Sequence, residues 1–148
     1  MISVVTDYAP CIALRRKVFI EEQGIAEPDE IDDLDDQAIH LLATIDGRPV
    51  GTARLLVAGD LGKIGRICVL PDQRGTGLGA ALVLAGMDHL RHMPGVTRAK
   101  LGAQEHAIGF YAKLGFEPVG AFYDDAGIPH QDMAVSYTHL TLPTIPLV

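Results

Sequence analysis

Residues 63–83 read KIGRICVLPDQRGTGLGAALV. An apolar strand-like run stops at Pro71, then Arg74 and the alternating Gly75, Gly77 and Gly79 lead into Leu78, Ala81, Leu82 and Ala85 at helical spacing. Strand, glycine turn and helix in that order make an anion site, because glycines let successive main-chain N–H groups approach a ligand without a Cβ in the way. The helix start adds about half a positive charge. Three designs can be compared. A Walker loop needs Gly-Lys-Ser/Thr after four spacers, and no lysine follows here. A Rossmann turn fits Gly75, Gly77 and Ala80 with Glu105 as the distant acid, but residues 71–74 separate strand from glycine, and only about one βα unit's worth of chain precedes the final hairpin. The third is R-x-x-G-x-G/A opening a helix, met by Arg74, Gly77 and Gly79, a loop suited to a pyrophosphate. Arg74 can add a charge-assisted bond to phosphate or fix the loop itself.

Outward from this loop, strands and helices alternate. ISVV suits a first strand, and CIALRRKVFIEEQG a helix, with Cys11, Leu14 and Val18 on one side, Pro10 near its start and Gly24 as its stop. An acidic loop follows. AIHLLATI and PVGTARLLV flank Asp46-Gly47, a strong hairpin signal. After the glycine-loop helix fades near Met93-Pro94-Gly95, TRAKLGA reads as a strand, HAIGFYAKL as a short helix closed by Gly115, and FEPVGAFY and QDMAVSY as two strands. The order β-α-β-β-β-α-β-α-β-β, without repeat or linker, predicts one mixed α/β sheet in a single domain over residues 1–137.

Composition narrows the function classes. A chain of 148 residues suits one core. Its two cysteines, Cys11 and Cys68, form no CxxC pair, and Asp7 interrupts the first apolar stretch, so a reduced cytoplasm is expected. No apolar run approaches the ~20 residues a membrane helix needs. Of 19 acids, seven lie in EPDEIDDLDD, residues 27–36, and the remainder balance 12 Lys plus Arg, so the net charge of −7 is local. No broad basic face points to nucleic acid.

The loop segment, together with QEHAIGFYAKLGFEPVG, resembles the GNAT superfamily of acetyl-CoA-dependent N-acyltransferases. In the second stretch Ala107, Tyr111, Gly115 and Phe116 match the family's N-x-x-A-x-x-x-Y run and Gly-Phe pair, while Gln104 stands where Asn is usual. RRKVFIEEQG, LDD with AIH, and DAGIPH are similar to the ElaA-like group, and the likeness spans most of residues 11–135. The resemblance implies a mostly antiparallel twisted sheet of about six to seven strands, helices on both faces and a splayed central strand. It also implies that acetyl-CoA lies along Ile67, Cys68 and Val69, that its diphosphate rests on Arg74, Gly75, Thr76, Gly77, Leu78, Gly79 and Ala80, and that Gln104 and Tyr111 face the same ligand. The acyl carbonyl would meet a main-chain N–H near Val69, an oxyanion-type contact.

Direct transfer to a primary amine poses two proton problems. An ammonium of pKa near 10 is neutral about once in a thousand at pH 7, which costs roughly 4 kcal/mol unless a base assists. The leaving thiolate, of pKa about 8.5, needs an acid, and Tyr111 matches the family's general acid. Glu22 and His130 are the base candidates, with Asp35, Asp36 and His40 also in range of the chemistry, and the acidic loop would attract a cationic amine. Cys68 suits core packing rather than acyl transfer. His89 and His92 lie one turn apart without further ligands, and the acidic run lacks a calcium loop's spacing, so no metal is expected. The expected partners are acetyl-CoA and an amine, small molecule or protein, with a homodimer as a further option and neither nucleic acid nor membrane. Two other functions are in view, a non-catalytic coenzyme A-binding regulatory module and an acyl-homoserine lactone synthase, the latter because LRRKVFIEEQG resembles that family's start. Residues 138–148, uncharged and discordant, are expected to be foreign and poorly packed.

Overall fold

The computed structural model describes residues 1–137, so the expectation for residues 138–148 lies outside the described residues. The strands are β1 (Ile2–Val5), β2 (Ile39–Ile45), β3 (Arg48–Ala58), β4 (Leu61–Val69), β5 (Arg98–Gln104), β6 (Glu117–Asp125) and β7 (Ile128–Ser136). The helices are α1 (Ala9–Arg15), α2 (Glu27–Glu30), α3 (Leu78–Arg91) and α4 (Ile108–Ala112). The strands follow the order β1-β2-β3-β4-β5-β7-β6, mostly antiparallel, with β4 and β5 parallel over Leu61–Arg98 to Lys63–Lys100. The expected seven-strand mixed sheet is therefore present. Among the described residues no helix is long and apolar enough to cross a membrane.

Two compact units divide the chain. The first comprises Met1–Leu56 and Ile64–Gly86. Its β2–β3 hairpin turns at Asp46 and Gly47, both with positive φ (51° and 78°), the type I′ geometry that the Asp-Gly pair favours. β2 and β3 are buried almost continuously at their centres, with Leu41, Ala43, Val50, Ala53 and Leu55 in the core beside Cys11, Leu14 and Val18. The first helix differs from expectation: after Arg15 it widens into a π-helix over Arg16–Glu22, with Gln23 N–H donating to the Val18 carbonyl at 3.0 Å. Such widened turns cluster at functional sites.

Gly51 lies where β3 passes under α3. A Cβ there would sit 2.9 Å from Leu82 Cδ1 and 3.1 Å from the Cys68 carbonyl oxygen. Gly51→Ala is expected to cost about 1–3 kcal/mol, read from urea unfolding, because the carbonyl cannot yield as a side chain can. An unchanged midpoint would refute this close packing.

The acidic stretch corrects an expectation. It is no solvated loop: it forms α2 and a 3-10 turn over Asp35–Gln37, and it buries Glu30 and Asp35 against arginines. Arg15, itself 1% exposed, joins Glu30 at 2.5 Å and Asp35 at 2.7 Å. Arg54 joins Asp32 at 2.8 Å and Asp35 at 3.1 Å, and Arg66 reaches Glu30 and Asp32, both at 3.1 Å. Three acids face three arginines, so this part of the stretch is electrically spent and offers little pull on a cationic amine. Burial works to raise the Asp35 carboxyl, but the hydrogen bonds and charges of Arg15 and Arg54 outweigh it and hold it below the usual range. For Glu30 burial wins and pushes the carboxyl up.

The second unit comprises Val57–Lys63 and, among the described residues, residues 87–137. β5 alternates, burying Ala99, Leu101 and Ala103 on one face. β7 pairs with it antiparallel from Arg98–Ser136 to Gln104–His130. The β6–β7 hairpin turns at Ala126 and Gly127 (φ 53° and 81°), and the Gly127 N–H donates to Asp124. Between Val119 and Tyr123 the register of β6 shifts, and Gln131 donates to the Gly120 carbonyl across this bulge.

Candidate active site

In the first unit, β4 ends at Val69, one 3-10 turn over Pro71–Gln73 follows, and the chain then enters the glycine loop. Gly75 and Gly77 have φ of 78° and 89°, and a Cβ on either would meet nothing within 4 Å. Glycine is required here by the left-handed backbone, and the space it leaves open is not filled by protein. Among the described residues, no protein group accepts a hydrogen bond from the main-chain N–H groups of residues 75–80; the Ala81 N–H is the first to be used, donating to Gly77 O at 3.0 Å. These donors stand at the start of the 14-residue α3, where its dipole is positive. The Thr76 hydroxyl donates to the Gln73 carbonyl at 2.6 Å and braces the turn.

Arg74 braces it too. Its Nε donates to the Val69 carbonyl at 3.1 Å, and its two terminal nitrogens grip the Glu22 carboxylate at 2.6 and 2.8 Å. Of the two roles open to Arg74 in the sequence, this arrangement is the loop-fixing one. The hydrogen bond from Arg74 holds the Glu22 carboxyl below the ordinary range, which makes Glu22 a weaker base. Both side chains are about two-fifths exposed (43% and 40%), so water screens the pair and its role is to fix the loop rather than to stabilise the fold.

β4 carries the residues expected along the cofactor. Ile67 and Val69 are half-buried, and Cys68 is buried. Burial pushes the Cys68 thiol up to about 12, so it stays protonated and poorly nucleophilic at neutral pH. Iodoacetamide is expected to leave Cys68 of the folded protein unmodified at pH 7.5, by mass spectrometry; rapid labelling would restore Cys68 as a nucleophile.

In the second unit, Tyr111 lies on the five-residue α4 between Phe110 and Phe116, with ring centroids 5.1 and 6.3 Å away and edge-on. Among the described residues its hydroxyl has no protein partner. Burial pushes it up to about 12, so it is a protonated donor across the working range. Gln104, at the end of β5, accepts through Oε1 from His106 Nε2 at 2.8 Å. His130 is buried, its Nδ1 lies 2.7 Å from the Ile128 carbonyl, and a carbonyl can only accept, so Nδ1 carries the proton and Nε2 the lone pair.

The remaining base candidates are committed elsewhere. Asp35 is held by two arginines, Asp36 accepts from the Tyr8 hydroxyl, and His40 is buried, stacked on Tyr8 at 4.3 Å and bonded through Nε2 to the Asp35 carbonyl. The His92 ring bonds the Asp88 carbonyl, and no group of three or more metal-type ligands forms among the described residues. Sequence reasoning missed a network in which Tyr123 donates to Asp132 at 2.6 Å, Lys100 joins Asp132 at 2.9 Å, and Tyr123 stacks on His130 at 5.9 Å. The 130/132 alternation on β7 places these residues on one face, but only the bulged register of β6 brings Tyr123 opposite His130.

A family profile described as an acetyltransferase (GNAT) domain matches residues 17–137. The chain belongs to the GNAT acetyltransferase family. Membership makes it an acyltransferase, as the loop geometry leads one to expect. Among relatives of this GNAT chain, YyaT of Bacillus subtilis (strain 168) is 38% identical over 132 residues, covering 87% of this chain and 88% of that one. Protein ElaA of Escherichia coli (strain K12) is 35% identical over 127 residues, 83% of each. The crystal structure of Escherichia coli ElaA superposes with a TM-score of 0.79 at 30% identity, over 90% of this chain and 99% of that one. An acyl-CoA N-acyltransferase from Pseudomonas aeruginosa superposes at 0.80 and 30% identity, over 90% and 96%. The ElaA likeness expected from RRKVFIEEQG and DAGIPH is borne out.

Proposed function

We propose that the protein is an N-acetyltransferase that moves an acetyl group from acetyl-CoA to a primary amine by direct attack in a ternary complex. The observation that carries this is the run of unclaimed main-chain N–H groups at residues 75–80, open in front of Gly75 and Gly77 and backed by the dipole of α3. Six donors in one turn suit a diphosphate better than any uncharged group.

In this reading the loop grips the diphosphate, and Ile67, Cys68 and Val69 lie along the pantetheine arm. A main-chain N–H near Val69 receives the charge that develops on the acyl oxygen. His130 takes the amine proton: its Nδ1–H is fixed on Ile128 O and its Nε2 lone pair is left for an incoming proton, whereas Glu22 is engaged by Arg74. The new C–N bond forms as the C–S bond breaks, and the Tyr111 hydroxyl donates a hydrogen bond to the departing sulfur. With the Tyr111 hydroxyl near 12, complete transfer to a thiolate of pKa about 8.5 is uphill by about 5 kcal/mol, so the hydroxyl stabilises the sulfur mainly as a hydrogen-bond donor until solvent protonates the thiolate. The two free, buried cysteines suit the cytoplasm as the compartment of action.

The test is to mix the protein with acetyl-CoA and a panel of primary amines and follow free thiol. Thiol released in step with amine acetylation supports the proposal. Tight coenzyme A binding with no thiol release for any amine would replace it with a non-catalytic coenzyme A-binding module.

A further inference from the structure

β4 contains one residue whose main chain is out of character. Arg66 has φ of 48°, the left-handed region that a long side chain rarely enters. A glycine stands next to it, at Gly65, and that glycine does not take the positive φ. The conformation therefore falls on the residue with a side chain, and that side chain is engaged through two of its three nitrogens. Its Nε lies 3.2 Å from the Glu30 carbonyl and 3.1 Å from Glu30 Oε2, and its Nη2 lies 3.3 Å from the Asp29 carbonyl and 3.1 Å from Asp32 Oδ2. All four acceptors belong to residues 29–32. Those residues are anchored in turn, Glu30 by the buried Arg15 and Asp32 by Arg54, so the guanidinium is tied to a fixed support rather than to a loose loop. An ion pair serving stability alone has no need of a strained backbone beneath it.

We propose that Arg66 is a positioning residue for acyl transfer: its guanidinium, latched to residues 29–32, holds the left-handed turn that aims the main chain of residues 67–69. This rests on the N-acetyltransferase reading, in which residue 69 meets the acyl oxygen three positions downstream of the turn. The acidic stretch then has a purpose its charge alone did not suggest, as the internal clamp on β4. Because the diphosphate loop is held separately by Thr76 and Arg74, the latch governs aim rather than affinity.

Arg66→Ala and Arg66→Gly are the primary variants, with Asp32→Asn as a milder one should either fail to fold. All are expected to lower kcat about 10- to 100-fold, the scale of a small misplacement of reacting groups, while KM for acetyl-CoA and Kd for coenzyme A stay within about threefold. Arg66→Lys, with one donor group in place of the fork, is expected to recover part of the loss. In protein without substrate, the 15N amide resonances of Ile67, Cys68 and Val69 are expected to move in Arg66→Ala, and to stay in Arg91→Ala, which breaks a surface pair on α3. Variants that lose thermal stability but keep kcat within twofold would overturn the proposal, as would unmoved resonances at residues 67–69. If the unaltered protein releases no thiol with any amine, the transferase reading fails, and the amide resonances still decide whether the latch aims the strand.

Discussion

Replacing Gly77 by valine is expected to weaken coenzyme A binding by about 100- to 1,000-fold, measured by titration calorimetry. Two effects add. The backbone at Gly77 has φ of 89°, where a β-branched residue is strained, so the loop must either bear the strain or abandon the geometry that aligns its N–H groups. The side chain also projects into space that no protein atom occupies within 4 Å of the Cβ position, which is where an anion must come to reach the amides. Each tenfold in Kd corresponds to about 1.4 kcal/mol, so the lower bound asks for about 3 kcal/mol, within reach of strain and lost hydrogen bonds combined. Gly77→Ala keeps the first effect and reduces the second, and is expected to fall between valine and the natural residue. Because the loop surface is open, the melting temperature should change much less than affinity. Affinity unchanged in the valine variant would remove residues 75–80 from the cofactor site.

Tyr111→Phe is expected to lower kcat by about 100-fold or more with coenzyme A affinity within about twofold, the signature of a proton donor used only in the reaction. The phenylalanine ring preserves the edge contacts with Phe110 and Phe116, so folding is expected to persist. The pH dependence follows from the sign of the shift. Burial raises the hydroxyl to about 12, so the acid form is retained throughout the measurable range, and activity should climb with pH as the amine loses its proton, with no fall from Tyr111 before about 12. A variant as active as the natural protein would take Tyr111 out of the acid role, and a falling limb near pH 10 that vanishes in Tyr111→Phe would show the hydroxyl to be less buried in solution.

The parts of this protein that were legible from its residues share a physical character. Gly75 and Gly77 announce left-handed turns, Asp46-Gly47 announces a type I′ hairpin, and Leu78, Ala81, Leu82 and Ala85 announce a helix, of which Leu82 is buried and Ala81 exposed, because each signal acts over a few residues through sterics or periodicity. The parts that were misread depend on partners far away in the chain. Seven acids within ten residues read as an amine-attracting loop, yet three of them, Glu30, Asp32 and Asp35, are met by Arg15, Arg54 and Arg66 from α1, β3 and β4. Glu22 was a candidate base until the fold brought it against Arg74, 52 positions along the chain.

By itself, then, the order of residues determined the alternation of strands and helices, the hairpins and the glycine loop opening α3, since φ restrictions and side-chain period are properties of neighbours. Only the tertiary structure decided which carboxylates are neutralised, which histidine nitrogen keeps its lone pair, and that the left-handed residue in β4 is Arg66 rather than the glycine beside it. Those outcomes depend on desolvation and on charges meeting through space, and an ionisable side chain has no settled chemistry until its partners across the fold are in place.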